Sequence, residues 1–171
     1  MGDGIHAAGL WAALNVVVLL VLSGMTSVQR RKHRVSLGDG GKPPVEAASR
    51  AFGNAAEYMP LAIASLILLA LTGFPTWSVH LIGGSFLLGR VLHAWGMLTG
   101  VGPTPGRMFG MLLTYIPLLA SAVMLIWCWV GGLQDFRAAK QTLRKRFGAA
   151  SGQCWRTESG QAKHRPASDP H

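Results

Sequence analysis

A stripe of polar side chains near the start of the second apolar segment has the residue types to hold a small charged ligand. Arg50, Asn54 and Glu57 are spaced at i, i+4 and i+7, so they share one face of an α-helix. Arginines bind carboxylates bidentately, and a glutamate accepts hydrogen bonds from an amine. Charged groups at the mouth of a membrane helix usually face a bundle interior or a wet cavity. The stripe therefore predicts a site for a peptide-like ligand with carboxylates and an ammonium group.

Further polar side chains occur at the ends of the other apolar segments. Arg90, His93 and Met97 form a second stripe at i, i+3 and i+7, and Arg107 opens the fourth segment. The end of the first segment adds Arg30, Arg31 and Arg34. A purely structural interpretation is equally open at this point. In it, Arg90 would simply neutralise Glu57 within an interhelical salt-bridge network. Residue types alone do not decide between a ligand site and structural pairing.

The composition indicates a membrane protein. Half of the 171 residues are hydrophobic and only 13% are charged, whereas a soluble domain carries about 25% charged residues. The net charge of +9 is concentrated in two clusters outside the apolar runs, at 30–34 and 137–165. No aromatic-interleaved motif for nucleic acid accompanies these clusters. Membrane orientation and contact with anionic lipid are the favoured roles of the basic residues, and nucleic acid is not an expected partner.

The apolar runs predict an all-α integral membrane protein that folds as an up-and-down four-helix bundle. Each run is long enough to cross a hydrocarbon core, which needs roughly 20 residues. The predicted spans cover about residues 6–28, 46–72, 77–98 and 108–133. Short links rich in Gly and Pro, at 73–75 and 100–106, place sequential helices antiparallel and adjacent. The transmembrane domain is expected over 1–136, followed by a basic, largely disordered tail over 137–171.

The longest internal connection, about 29–45, is polar and reads as a loop that can order over a ligand. Basic residues are almost equally numerous in this loop and just after the last span. The rule that basic residues are enriched on the cytoplasmic side therefore hardly distinguishes the two orientations. Because the first helix usually dominates orientation, the loop is placed in the cytoplasm.

The pattern Arg50-x-x-x-Asn54-x-x-Glu57-Tyr58-x-Pro60 resembles the signature of the MAPEG family, the membrane-associated proteins in eicosanoid and glutathione metabolism. Two more motifs resemble that family, in the same order along the chain: Arg30-Arg31-x-x-Arg34-Val-Ser36 at the end of the first helix and Arg90-x-x-His93 in the third. The similarity covers about residues 6–133. The run from His33 to Gly41 resembles the bacterial branch, which implies a multi-pass protein of a bacterial inner membrane.

The resemblance implies a homotrimer of four-helix subunits that binds glutathione between neighbouring subunits. By position, the glutathione contacts would be Arg50, Asn54, Glu57 and Tyr58 from the second helix, Arg90 and His93 from the third, and Arg30 or Arg31 from an adjoining subunit. Arg107 would stabilise the glutathione thiolate as the catalytic residue. An arginine in this role also has a physical basis that does not depend on the family. A thiol has a pKa of about 8.5, and a nearby cation favours its reactive thiolate form.

The expected function is a membrane-bound glutathione transferase, or a glutathione peroxidase, that acts on lipophilic electrophiles from the bilayer. The alternative is a non-catalytic lipid-binding or scaffold protein of the same fold. A transporter is disfavoured, since the polar residues gather toward one end of the helices. The sequence departs from the family at Met97, where a tyrosine is often found, and this removes one hydrogen-bond donor. The histidines and cysteines have no metal-ligand spacing, so no metal is expected.

Overall fold

Four α-helices make up the part of the chain that the structure describes, as predicted. The structure is a computed structural model that describes residues 2–99 and 104–161, with the side chains of 133–140 and 142–161 excepted. The helices are α1 (Gly2–Lys32), α2 (Pro43–Leu71), α3 (Thr76–Thr99) and α4 (Pro105–Gln161). Each is long and apolar enough to cross a membrane, α4 over Pro105–Gly132. The predicted class, an all-α integral membrane four-helix bundle, is confirmed.

Each helix begins one to four residues before its predicted span, because the helix ends carry good helix signals. At the other end, α2 stops one residue short of its predicted span, whereas α4 continues well beyond residue 133. α2 begins at Pro43 with proline in its first turn, where the missing N–H costs nothing and φ is already helical. α1 continues to Lys32, and basic side chains in its last turn complement the helix dipole. The connection between α1 and α2 is therefore shorter than the predicted loop over 29–45. Gly73, with a φ of +85°, turns the chain tightly from α2 into α3.

The bundle is described within the first of two compact units, which ends at Trp127. Its apolar core has two parts along the helix axes. One part contains Leu22 of α1, Ala51, Ala55 and Met59 of α2, and Phe86 of α3, and Leu118 of α4 packs against it. The other part contains Ala7 and Ala8 of α1, Leu66 and Leu69 of α2, and Val79 of α3. The many alanines allow close backbone approach, as small residues do in membrane bundles.

Glycines bring α3 into contact with its neighbours. A Cβ on Gly84 would lie 3.3 Å from the indole of Trp11 in α1, and one on Gly89 would lie 2.8 Å from the backbone of Leu113 in α4. On α4, a Cβ on Gly110 would lie 2.6 Å from the Cβ of His93. The two backbones of α3 and α4 are therefore as close as glycine allows, and the side chains between them are held in fixed positions.

The second compact unit begins at Cys128. Its described backbone is helical as far as Gln161, where the composition predicts a largely disordered tail. As far as Phe147, a run rich in Ala, Lys, Arg and Gln has high helix propensity and continues a helix that is already nucleated, which accounts for that part of the difference. Helix propensity does not explain the helical backbone of 148–161, where Gly, Ser and Thr are frequent. Residues 162–171 lie outside the described residues. The division into domains at 136/137 stays a prediction.

Candidate functional site

A polar cavity of about 330 Å³ opens at one end of the bundle, where α2 begins, α3 ends and α4 begins. Its size lies at the lower end of the range for small-molecule sites, about 300–1,000 Å³. The cavity is lined by Arg50, Gly53, Asn54, Glu57, His93, Met97 and Arg107. Three helices thus contribute to one site, and two arginines, one carboxylate, one amide and one imidazole converge on it.

The α2 wall of the cavity is the stripe that the sequence predicts. Arg50, Asn54 and Glu57 lie on one helix face, and Gly53 between them leaves space where a side chain would stand. The Nε of Arg50 donates to Oε1 of Glu46 at 2.9 Å, but the two side chains are 69% and 47% exposed. An exposed ion pair of this kind contributes at most about 1 kcal/mol. Arg50 can therefore exchange this partner for a ligand carboxylate at little cost.

The α3 wall is organised by Arg90, which is fully buried. Its Nη2 donates to Oδ1 of Asn54 at 2.7 Å and contacts Nδ1 of His93 at 3.0 Å, and its Nη1 donates to Oγ1 of Thr114 at 3.2 Å. Because a guanidinium only donates, Nδ1 of His93 is the acceptor and the ring proton lies on Nε2. One arginine thus fixes the amide and the imidazole that line the cavity.

Arg90 makes no ion pair with any acidic side chain among the described residues, where the recorded pair is Arg50–Glu46. Its acceptors are neutral, and its Nε is buried without a hydrogen-bond partner. The structural interpretation predicts that Arg90 neutralises Glu57, and this pairing is wrong. Arg90 binds Asn54, one helical turn before Glu57. A buried cation without a counter-charge makes its surroundings electropositive, which favours an anionic ligand nearby.

The α4 wall is the first turn of that helix, and Thr104 holds it in place. The hydroxyl of Thr104 accepts from the backbone N–H of Arg107 at 3.4 Å, as an N-cap side chain does, and donates to the carbonyl of Gly96 at 3.0 Å. Gly96 lies so close that a Cβ there would be 2.6 Å from the Arg107 nitrogen. The start of α4 is therefore pinned to the end of α3, and Arg107 is placed at the cavity.

Tyr58 lies beside the cavity rather than among its lining residues. Its ring is 5.7 Å from the guanidinium carbon of Arg90. Its hydroxyl lies 3.1 Å from the hydroxyl of Tyr115 on α4, and the two rings meet edge to face at 76°. Tyr58 thus belongs to a pair of tyrosines that contacts the cavity residues through Arg90.

Arg30 and Arg31 lie at the end of α1, and neither lines the cavity. Arg30 donates to the carbonyls of Ser36 and Gly38 at 3.1 and 2.9 Å, which ties the following loop to the helix end. Arg31 donates back to the carbonyl of Ser27. Arg30 also borders a second hollow that shares Arg50 with the cavity. Their expected role, reaching into the site of an adjoining subunit, stays a prediction.

The structure brings together five of the nine predicted site residues around the cavity: Arg50, Asn54, Glu57, His93 and Arg107. Arg90 and Tyr58 lie directly behind or beside them. Sequence reasoning missed Thr104, Thr114 and Tyr115. Thr114 follows Arg107 at i+7, so the helical spacing that selected the α2 and α3 stripes also selects it. Within the described residues, no three His, Cys, Asp or Glu side chains come together as a metal site.

Four membrane-spanning helices with a charged cavity at one end define a multi-pass integral membrane protein with a site for a polar ligand. The chain belongs to the MAPEG family, whose profile matches residues 8–127. It is similar to the inner membrane protein YecN of Escherichia coli strain K12, with 33% identity over 120 residues that cover 70% of this chain and 90% of YecN. YecN of E. coli O6:H1 strain CFT073 matches equally well.

The family membership and the predicted location are both confirmed by these comparisons. The matched region, residues 8–127, coincides with the unit that contains the cavity. The four candidate spans and the similarity to a bacterial inner membrane protein support a multi-pass protein of the bacterial inner membrane. The name of YecN specifies a membrane and no reaction, so the chemistry has to be argued from the site.

Proposed function

We propose that this protein is a membrane-bound glutathione transferase that acts on lipophilic electrophiles. The observation that carries the proposal is the cavity, because its lining matches the charges of glutathione. Arg50 and Arg107 would bind the carboxylates and the thiolate of such a tripeptide, and Glu57 would bind its ammonium group; all three residues line the cavity. The amide of Asn54 and the imidazole of His93 supply the remaining polar contacts.

The arrangement suits orientation of a flexible tripeptide. Arg90 locks Asn54 and His93 before any ligand arrives, so these contacts need no reorganisation on binding. Fixed geometry at both ends of the tripeptide restricts where its sulfur can lie. The protein then contributes to catalysis mainly by holding the nucleophile where the electrophile arrives.

Arg107 is the proposed thiolate-stabilising residue. Glutathione supplies a thiol nucleophile whose reactive form is the anion, and a nearby cation raises the fraction of that anion at neutral pH. Arg107 lines the cavity in the first turn of α4, where the helix dipole adds further positive potential. Thr104 and Gly96 keep this turn against α3, so the charge is preorganised.

The remaining parts of the proposal follow from family membership. The active form is proposed to be a homotrimer, in which Arg30 or Arg31 of a neighbouring subunit reaches the ligand. The electrophile would enter from the bilayer while glutathione enters from the aqueous side, and membrane lipid surrounds both. Native mass spectrometry from detergent tests the assembly directly, with three subunits as the expected mass and a monomer as the contrary result.

A second candidate function is a non-catalytic lipid-binding or scaffold protein, and Met97 favours it. This methionine is 8% exposed and lines the cavity at the position where the family often has a tyrosine. A thioether cannot donate the hydrogen bond that a tyrosine would give to glutathione. The departure would weaken ligand binding, and a protein without thiol chemistry would tolerate it.

An ultraviolet difference spectrum recorded during titration with glutathione tests the proposal. The transferase is expected to show a saturable thiolate band at neutral pH, with the same midpoint in calorimetry. S-methylglutathione is the matched control, because it keeps every charge but cannot form a thiolate. Binding without a band would point to a site that holds glutathione inertly. No binding in either measurement would favour the lipid-binding or scaffold function.

A further inference from the structure

The hydroxyl pair of Tyr58 and Tyr115, hereafter the tyrosine dyad, has an unused hydrogen-bond donor inside a membrane span. The two hydroxyl oxygens are 3.1 Å apart, so one hydroxyl donates to the other. The proton of the second hydroxyl then has no acceptor among the described residues. In water such a donor is satisfied by solvent, but in hydrocarbon a donor without an acceptor is strongly unfavourable. The dyad therefore favours any acceptor that reaches it from the bilayer.

The described surface around Tyr115 on α4 offers the dyad no acceptor. Tyr115 is 49% exposed and lies ten residues after Pro105, where α4 begins. At 1.5 Å per residue this is about 15 Å along the helix. Its exposed neighbours on α4 are apolar, with Leu112 at 47% and Ile116 at 61%. A group at this depth meets apolar molecules and the functional groups that they carry.

The dyad is joined to the cavity by one side chain. The Tyr58 ring lies 5.7 Å from the guanidinium carbon of Arg90, and Arg90 in turn donates to Asn54 and contacts His93, both of which line the cavity. Tyr58 also follows directly after Glu57, another lining residue. A molecule that is bound by the dyad from the bilayer side is therefore beside the cavity.

From this arrangement we propose that the tyrosine dyad binds the acceptor oxygen of the lipophilic substrate. Tyr58 and Tyr115 are then specificity-determining residues, and the favoured substrates are membrane-soluble molecules with a carbonyl or hydroperoxide oxygen. This inference rests on the proposed function in naming the bound molecule a substrate. The hydrogen bond itself requires no glutathione, so it can be tested separately.

The chain contains only two tyrosines, which makes the dyad directly observable. Protein labelled with ¹³C at the tyrosine Cζ gives two signals that both arise from the dyad, and their shifts respond to hydrogen bonding at the hydroxyls. The protein is placed in nanodiscs and titrated with a long-chain methyl ketone or with an alkane of equal length. Tyr58→Phe and Tyr115→Phe keep both rings and remove one signal each, which assigns the spectrum.

Ester carbonyls of the lipids are also hydrogen-bond acceptors. The lipid of the nanodiscs is therefore chosen so that binding of the ketone is distinguished from contact with lipid. Ether-linked lipids contain no ester carbonyl, so in these nanodiscs only the ketone supplies an acceptor of this kind. A saturable shift with the ketone and none with the alkane is the expected result. An equal response to both, or none to the ketone, overturns the proposal. A shift that appears only on changing to ester lipids also overturns it, because the dyad would then anchor lipid.

The Tyr58→Phe/Tyr115→Phe double variant gives a quantitative test by calorimetry, because either single variant leaves one tyrosine hydroxyl that can still donate. Loss of one hydrogen bond in the double variant is expected to weaken ketone binding about two- to tenfold. Ser65→Ala is the matched control, since the Ser65 hydroxyl donates to the carbonyl of Leu61 in its own helix and its loss should leave ketone binding unchanged. Equal affinity in wild type and the double variant overturns the proposal.

Turnover separates this inference from the proposed function. In the Tyr58→Phe/Tyr115→Phe double variant the ratio of kcat/KM for a fatty hydroperoxide to that for a benzyl halide, which has no oxygen, should fall about two- to tenfold. An unchanged ratio in an active enzyme refutes substrate binding by the dyad, while the proposed transferase function stands. If the protein binds the ketone but forms no glutathione thiolate, the proposed transferase function is refuted. The dyad then binds a lipophilic ligand that is not a transferase substrate.

Discussion

At the scale of single residues, the site depends on a buried cation with neutral partners. Arg90 is fully buried and bonded to Asn54, Thr114 and His93. Removing one partner of a buried charged group costs more than the bond itself contributes, because the group then stays desolvated and unpaired. Arg90 therefore acts chiefly as a positioning residue, and the exposed Arg50 and Glu57 are free to meet a ligand.

Arg50→Ala and Glu57→Ala are each expected to abolish measurable glutathione binding. Each removes a charge that is proposed to bind an opposite charge of the ligand, and hydrogen bonds to charged groups contribute about 1.5–3 kcal/mol. Isothermal titration calorimetry is the measurement, and size-exclusion chromatography should show an unaltered assembly. Glu46→Ala is the control, since it breaks only the exposed pair with Arg50. An unchanged Kd in both variants would remove the site assignment.

Arg107→Ala is expected to keep glutathione bound and to lose its thiolate. The variant leaves the α2 and α3 contacts intact but removes the positive charge that is proposed to lie at the sulfur. The thiolate band in the ultraviolet difference spectrum should disappear while the calorimetric signal remains. Arg107→Lys, which retains a charge, should recover part of the band. Wild-type turnover in Arg107→Ala would show that another group activates the thiol.

At the scale of elements, the contact between α3 and α4 sets the geometry of the cavity. Gly89 and Gly96 on α3 and Gly110 on α4 each lie against backbone of the other helix. His93 and Arg107 come from these two helices, so their separation depends on how closely the helices approach. Backbone atoms cannot rotate away as a side chain tip can, and any added atom has to move a helix.

Gly110→Ala is expected to destabilise the protein by about 1–3 kcal/mol, because its Cβ would overpack against His93. The midpoint of thermal unfolding in detergent should fall, and glutathione binding should weaken as α3 and α4 separate. Gly24→Ala is the matched control, since a Cβ there meets nothing within 4 Å and alanine favours the helix. Equal midpoints in the two variants would mean that this helix contact is not tight.

At the scale of the whole molecule, the ligand residues gather at one end of the first compact unit. That end holds the last turn of α1, the first turns of α2 and α4, and the last turns of α3. It also carries the basic residues of the connection between α1 and α2. A site of this kind opens to one aqueous compartment, which fits a water-soluble co-substrate and does not fit a path across the membrane.

The compartment is predicted to be the cytoplasm, and one loop residue can report it. Leu37 is 89% exposed in the connection between α1 and α2. In a background with Cys128→Ala and Cys154→Ser, the Leu37→Cys variant should resist a membrane-impermeant maleimide in spheroplasts. It should react with the same reagent in inverted membrane vesicles, because the loop then faces outward. The opposite pattern would reverse the orientation and place the site on the periplasmic side.

Much of the site was predictable because helical periodicity maps sequence spacing directly onto one face. Arg50, Asn54 and Glu57 were expected together and line the cavity together. His93 and Arg107 join them because short links make successive helices antiparallel, which brings the start of α2, the end of α3 and the start of α4 to the same end. Family membership was likewise readable from these motifs. The trimer, the glutathione contacts and the catalytic role of Arg107 stay predictions.

The sequence by itself determined the four spans, the end of the bundle that carries the charges and the face on which each charge lies, because these depend on local periodicity and hydrophobicity. Only the tertiary structure decided which side chains bond to one another. Arg90 bonds Asn54 and Thr114 instead of pairing with Glu57, and Tyr58 meets Tyr115. Such pairings depend on the rotation and spacing of neighbouring helices, which glycine contacts at Gly89, Gly96 and Gly110 fix to within an ångström or so. No spacing within one helix encodes that distance.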